Sequence, residues 1–166
     1  MGMTRRRLLV LPVCLAALGA AACGQDGEPR TETAFEDGGV AVRVTVEGDR
    51  VTAVLTPQRE TFHLYSLSLP DEGVDGLGIP TRLSVSDGLT ATGTAHAPDA
   101  RERTLRPAGL GVELPVYEDG PVTVVLPVRR SGGAESARVH LSYGACSESL
   151  GCLPPVRDRV VGVRLP

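Results

Sequence analysis

The chain has 166 residues, with 17 basic against 20 acidic side chains and a formal charge of −3 at neutral pH. Every basic residue is arginine and none forms a basic patch in the body of the chain, which argues against a nucleic-acid partner. Twenty glycines and 13 prolines punctuate the sequence and no window after the first 23 residues holds a 3.6-residue apolar period, so a helical architecture is not expected.

Residues 1–22 read as an export signal. Arg5, Arg6 and Arg7 form a basic opening, and the apolar run from Leu8 to Ala22 carries no charge and is too short to stay in a bilayer as a spanning helix. Ala20-Ala21-Ala22-Cys23 resembles the lipobox of bacterial lipoproteins, with Ala20 where leucine is preferred, and Thr4 to Leu9 resembles a twin-arginine motif. These imply cleavage before Cys23, acylation of Cys23, and a chain held at the extracytoplasmic face of the cell membrane, where disulfides persist. Residues 23–36, rich in Gly, Glu, Thr and Pro, read as a flexible tether. Loss of the signal removes three arginines and no acid, leaving 14 basic residues against 20 acidic.

Residues 37–166 are enough for one domain with one core. Val40, Val42, Val44 and Val46 alternate with polar or small residues, the period-two mark of a half-buried strand. Gly48-Asp49-Arg50 turns the chain and Val51 to Thr56 returns it as a hairpin. Phe62 to Leu67, Thr81 to Ser86, Pro121 to Val128, Ala137 to Tyr143 and Arg159 to Leu165 repeat the pattern. About seven strands separated by turns predict an all-β chain, an antiparallel β-sandwich of immunoglobulin-like type.

Cys146 and Cys152 lie near the end, in Tyr143-Gly-Ala-Cys-Ser-Glu-Ser-Leu-Gly-Cys-Leu-Pro-Pro155. As a structural staple, so small a ring would restrict the unfolded chain by only about 2–3 kcal/mol. As metal ligands, two sulfurs need two partners more, and His63, His96 and His140 have no ligand spacing, so no metal is expected. As a redox pair they would cycle between dithiol and disulfide, as exposed disulfides do. Spacing alone leaves staple and redox pair open.

The words around the cysteines resemble the active-site segment of the N-terminal domain of the DsbD family of thiol:disulfide interchange proteins. They supply the Tyr-Gly before the first cysteine, five intervening residues, and Cys-x-Pro-Pro after them. Leu150-Gly151 is transposed relative to that pattern, and Leu153 stands where the family carries an aromatic residue. Phe62-His63-Leu64-Tyr65-Ser66, Gly78-Ile79-Pro80-Thr81 and Val116-Tyr117 resemble further signatures, so the likeness spans roughly Phe35 to Leu165.

The resemblance implies an immunoglobulin-like sandwich that moves reducing equivalents without a cofactor, from a thioredoxin-like or CcdA-like membrane donor to disulfides of exported client proteins. Cys152 would form the mixed disulfide and Cys146 would resolve it. Pro154 and Pro155 would fix the chain beside Cys152, having no amide hydrogen to offer. Tyr65, Tyr117 and Tyr143 are candidates to wall the site, and His63 to sit beside it as a tuning or merely strand-bridging residue. The region from Asp99 to Gly111, where the family places a shielding loop, has Arg101, Arg103, Arg106 and Leu110 but no aromatic ring. His140 and Glu148 are expected in solvated positions. The rival reading is an immunoglobulin-like binding lipoprotein whose disulfide only shapes a recognition loop.

Overall fold

The computed structural model describes residues 30–165; the expected signal over residues 1–22, Cys23 and the start of the tether lie outside them. In chain order the strands are β1 (Arg30–Asp37), β2 (Val40–Glu47), β3 (Arg50–Pro57), β4 (His63–Leu64), β5 (Arg82–Ser86), β6 (Leu89–Ala91) and β7 (Glu102–Leu105). They continue as β8 (Leu114–Tyr117), β9 (Val122–Arg130), β10 (Ser136–Tyr143), β11 (Ala145–Ser147), β12 (Gly151–Cys152) and β13 (Val156–Arg164). Among the described residues there is no helix.

All pairings are antiparallel. One sheet runs β1-β2-β3-β9-β6 and a second runs β13-β10-β5. A short sheet β12-β11-β4 and the hairpin β7-β8 lie beyond them. The two larger sheets share one core, as period-two strands require: each must bury its apolar face against another layer. Val40, Val42, Val44, Val46, Val51 and Leu55 meet Leu83, Val139, Leu141 and Tyr143 across it. This is the immunoglobulin-like sandwich expected, and β2, β3, β9 and β10 fall where alternation placed them.

The tether is shorter than expected. Composition predicts flexibility through Glu36, yet β1 pairs with β2 along its whole length, from Arg30 opposite Glu47 to Asp37 opposite Val40. Alternation is present but disguised, because Thr31 and Thr33 occupy the half-buried side with Phe35. Phe35 packs against the core, and the Arg159 guanidinium lies 5.3 Å from its ring centroid, within cation–π reach. The segment Phe62 to Leu67 was expected as one strand; only His63 and Leu64 pair as such, and Tyr65 makes a single bridge to Val116. Arg82 explains the irregularity: it donates to the Leu67 and Leu69 carbonyls and pairs with Asp71, turning the chain out of the sheet.

The turn joining β1 to β2 has a second duty. Gly38 and Gly39 both have positive φ, 56° and 71°, as a two-residue hairpin loop requires. A Cβ on Gly38 would lie 2.8 Å from the Pro154 carbonyl oxygen, so this turn packs directly under the segment that follows Cys152. Leu141, 1% exposed at the centre of β10, reports on the sandwich itself. Leu141→Ala is expected to cost about 2–5 kcal/mol, read in urea unfolding as a lower midpoint with an unchanged slope.

Candidate functional site

The small sheet at the end of the sandwich is built around the cysteines. Cys146 on β11 stands directly opposite Cys152 on β12, and on its other side opposite His63 on β4. Directly opposed residues project to one face, so the three side chains form a row. The sulfurs are bonded, with an S–S distance of 2.05 Å and a Cα–Cα distance of 3.9 Å. The ring is closed by Glu148, Ser149 and Leu150 and tied down at both ends: Leu153 N donates to Ala145 O, and Ala108 N donates to Glu148 O.

The two sulfurs live in different surroundings. Cys146 is 0% exposed and belongs to a second apolar cluster with Tyr65, Leu69, Leu105, Val112, Leu114 and Val116. Cys152 is exposed and opens onto a cleft of about 200 Å³. That cleft is lined by Tyr65, Leu77, Ile79, Leu110, Leu153 and Pro155 among others. One bond thus joins a sealed sulfur to an accessible one.

Tyr65 brings a hydroxyl to the exposed sulfur. Its hydroxyl lies 3.4 Å from Cys152 Sγ, and burial raises its pKa, so it stays a neutral O–H able to donate to a thiolate. Gly144 makes this placement feasible: a Cβ there would come within 3.2 Å of the Tyr65 ring, which needs the bare backbone to lie against. Thr81 Oγ1 holds the Tyr65 carbonyl at 2.6 Å from below.

His63 is 5% exposed and fully engaged on one side. Arg103 Nη2 lies 2.6 Å from its Nε2, and since arginine can only donate, that nitrogen accepts. The other ring nitrogen, Nδ1, is 3.3 Å from an Asp119 carboxylate oxygen but not aligned for a hydrogen bond. Arg103 also reaches Glu148 inside the ring at 3.4 Å. Arg103 and Asp119 were missed as site residues because they lie about 40 and 56 residues beyond His63, brought there by the β7–β8 hairpin. Only the arginines of that region were visible in the sequence.

The other expected residues divide. Pro155 lines the cleft and Pro154 rests on the Gly38 turn. Tyr117 and Tyr143 do not wall the disulfide; they are buried in the main core. The Tyr117 hydroxyl accepts from Leu67 N, and the Tyr143 hydroxyl donates to Asp37 O. Burial first, and the Asp37 charge second, raise the Tyr143 pKa; burial is also the main cause of the rise at Tyr117. The difference is one of strand face: only Tyr65 shares a side with the cysteines. His140, expected to be solvated, is half-buried and ties three strands together, with Ser86 at 2.9 Å and Asp158 at 2.8 Å from its two nitrogens. Glu148 is exposed, as expected. Among the described residues no group of three or more His, Cys, Asp or Glu is placed to hold a metal ion.

No protein-family model and no curated protein sequence matches the chain. Among solved structures it is similar to the N-terminal domain of Neisseria meningitidis DsbD in the reduced form. The identity is 18%, the match covers 82% of each chain, and the TM-score is 0.44.

The Tyr65 contact has a measurable consequence. A hydrogen bond to the ionised form favours it, so losing the hydroxyl should raise the thiol pKa of Cys152. In the reduced domain, Tyr65→Phe is expected to raise it by up to about one unit, followed by thiolate absorbance or by the pH dependence of alkylation. An unchanged titration would remove Tyr65 from the chemistry.

Proposed function

We propose that the domain is a thiol–disulfide interchange module, a protein-disulfide reductase component that carries two electrons between a membrane or thioredoxin-like donor and exported proteins through Cys146 and Cys152. The observation that carries this is the asymmetry of the pair: within one bond Cys152 is exposed at a cleft and Cys146 is wholly buried. A structural staple has no need of it. Exchange does, because the incoming thiolate must reach one sulfur in line while the other serves only as leaving group and resolver.

In the dithiol state the Cys152 thiolate attacks one sulfur of a client disulfide. The client's second sulfur leaves as a thiolate and takes up a proton, and a Cys152–client bond forms. The Cys146 thiolate then attacks Cys152 Sγ, restoring the intramolecular bond and expelling the client's first sulfur, which is protonated in turn. The client has gained two electrons and two protons. A dithiol donor of thioredoxin-like or CcdA-like type reverses these steps: its thiolate attacks Cys152 Sγ, Cys146 leaves, and the donor's second thiol resolves the mixed disulfide. The Tyr65 hydroxyl would stabilise the Cys152 thiolate each time it forms.

The arginine-led apolar N-terminus and Cys23 support an exported module, lipid-anchored on the extracytoplasmic face and tethered by the residues before β1. The staple reading draws on the hydrogen bonds at Leu153 and Ala108 that fix the ring. Equilibration with glutathione or dithiothreitol separates the two. Interchange requires a reduction potential in the range of carriers, about −120 to −270 mV, and a value below about −300 mV marks a structural bond. Cys146→Ser should retain clients on Cys152 as mixed disulfides in the cell envelope, whereas Cys152→Ser should not.

A further inference from the structure

Large apolar side chains rarely stay exposed without reason when they cluster. Among the described residues three large apolar side chains are exposed, Leu110 at 46%, Leu150 at 66% and Val160 at 45%. Two of them lie near the exposed sulfur, Leu150 along the chain and Leu110 across the cleft. Leu150 stands two residues before Cys152 in the ring, and Leu110 forms a wall of the Cys152 cleft from the tip of the β7–β8 loop. With Leu110 the cleft is lined by Leu77, Ile79 and Leu153, an apolar set. Its volume of about 200 Å³ is below the roughly 300–1,000 Å³ of sites that enclose a free small molecule. It suits one side chain of a larger partner.

The same cleft carries a charge. Arg157 lines it, is exposed, and has no ion pair or hydrogen bond among the described residues. Its neighbours in the site are engaged: Arg103 with His63 and Glu148, Arg106 with Glu113. The nearby carboxylates are engaged as well, Asp158 with His140 and Asp37 with Arg159. Arg157 is the one charged residue among those lining the cleft, a positive point beside the exposed sulfur on a chain with more acidic than basic residues.

We propose that this cleft selects protein partners which present, next to their reactive cysteine, an apolar side chain that enters the cleft and a carboxylate that meets Arg157. The proposal rests on Cys152 being the exchanging sulfur and adds what that sulfur accepts. In the step concerned, the partner thiolate attacks Cys152 Sγ, the Cys146–Cys152 bond breaks, and Cys146 Sγ leaves as a thiolate with the bonding pair. The apolar contact and the ion pair hold the partner in line for that attack.

The test uses the oxidised domain and blocked peptides in which a cysteine is followed by leucine and then by glutamate, glutamine or arginine. Second-order rates are divided by each peptide's rate with the neutral 2-hydroxyethyl disulfide, which removes intrinsic thiol reactivity. At low salt the glutamate peptide should react about threefold faster than the arginine peptide, the size of an exposed ion pair, and the preference should fade at high salt. Arg157→Glu should invert the preference. Arg129→Glu, the same charge change on an exposed β9 residue of the large sheet, should keep it. Exchanging the peptide leucine for serine, or Leu110→Ser in the domain, should slow the glutamate peptide several-fold. Rates indifferent to peptide charge, or a preference that survives Arg157→Glu, would overturn the proposal. So would a charge preference shown by glutathione alone, which would give the cleft to a small thiol. If dithiothreitol also leaves the wild-type disulfide closed, the failure lies with the interchange reading itself.

Discussion

Strand β11 is held from both sides, by β4 and by β12, and this double pairing fixes which sulfur meets solvent. Cys146 sits in the middle strand of three, with His63 on one flank and Cys152 on the other. A residue in that position, packed against Leu69 and against Leu105, Leu114 and Val116 of the β7–β8 hairpin, has no route to water. Cys152, on a two-residue edge strand, has nothing beyond it. The chemistry proposed for the pair follows from this placement rather than from any special reactivity of cysteine.

Several elements distant in sequence converge to keep the arrangement. The Gly38 turn supports Pro154, Gly144 admits the Tyr65 ring, and Arg82 pins the loop that delivers Leu77 and Ile79 to the cleft. Arg103 links the β7–β8 hairpin both to His63 and to the ring carboxylate Glu148. The sandwich supplies the rigid base, since β2, β3, β9 and β10 bury almost every inward side chain. The site is therefore a loop cluster on a stiff platform, the usual place for functional residues.

What the sequence made legible follows from how each part is stabilised. Strands buried on one face write themselves as alternation, and Val40 to Val46 and Val122 to Val128 could be read directly. Strand β1 could not, because an edge strand needs little apolar surface and used Thr31 and Thr33 on its inner side. The hairpin β7–β8 was hidden for a similar reason: its residues are arginine, glutamate, threonine and proline, with Leu105, Leu114 and Val116 buried only because a second cluster exists to receive them. The cysteine pair stood out by its spacing and neighbours. Its asymmetry did not, since burial of Cys146 depends on residues from Tyr65 to Val116, 30 to 81 positions upstream. The three tyrosines were indistinguishable in sequence, and strand face separated Tyr65 from Tyr117 and Tyr143.

The central claim is that Cys152 alone is open to attack. A brief pulse of a small mass-tagged thiol on the oxidised domain, quenched in acid and mapped by peptide mass, tests it most directly. The account predicts the tag on Cys152 with Cys146 left as the free thiol. A tag found on Cys146, or shared equally between the two, would contradict it.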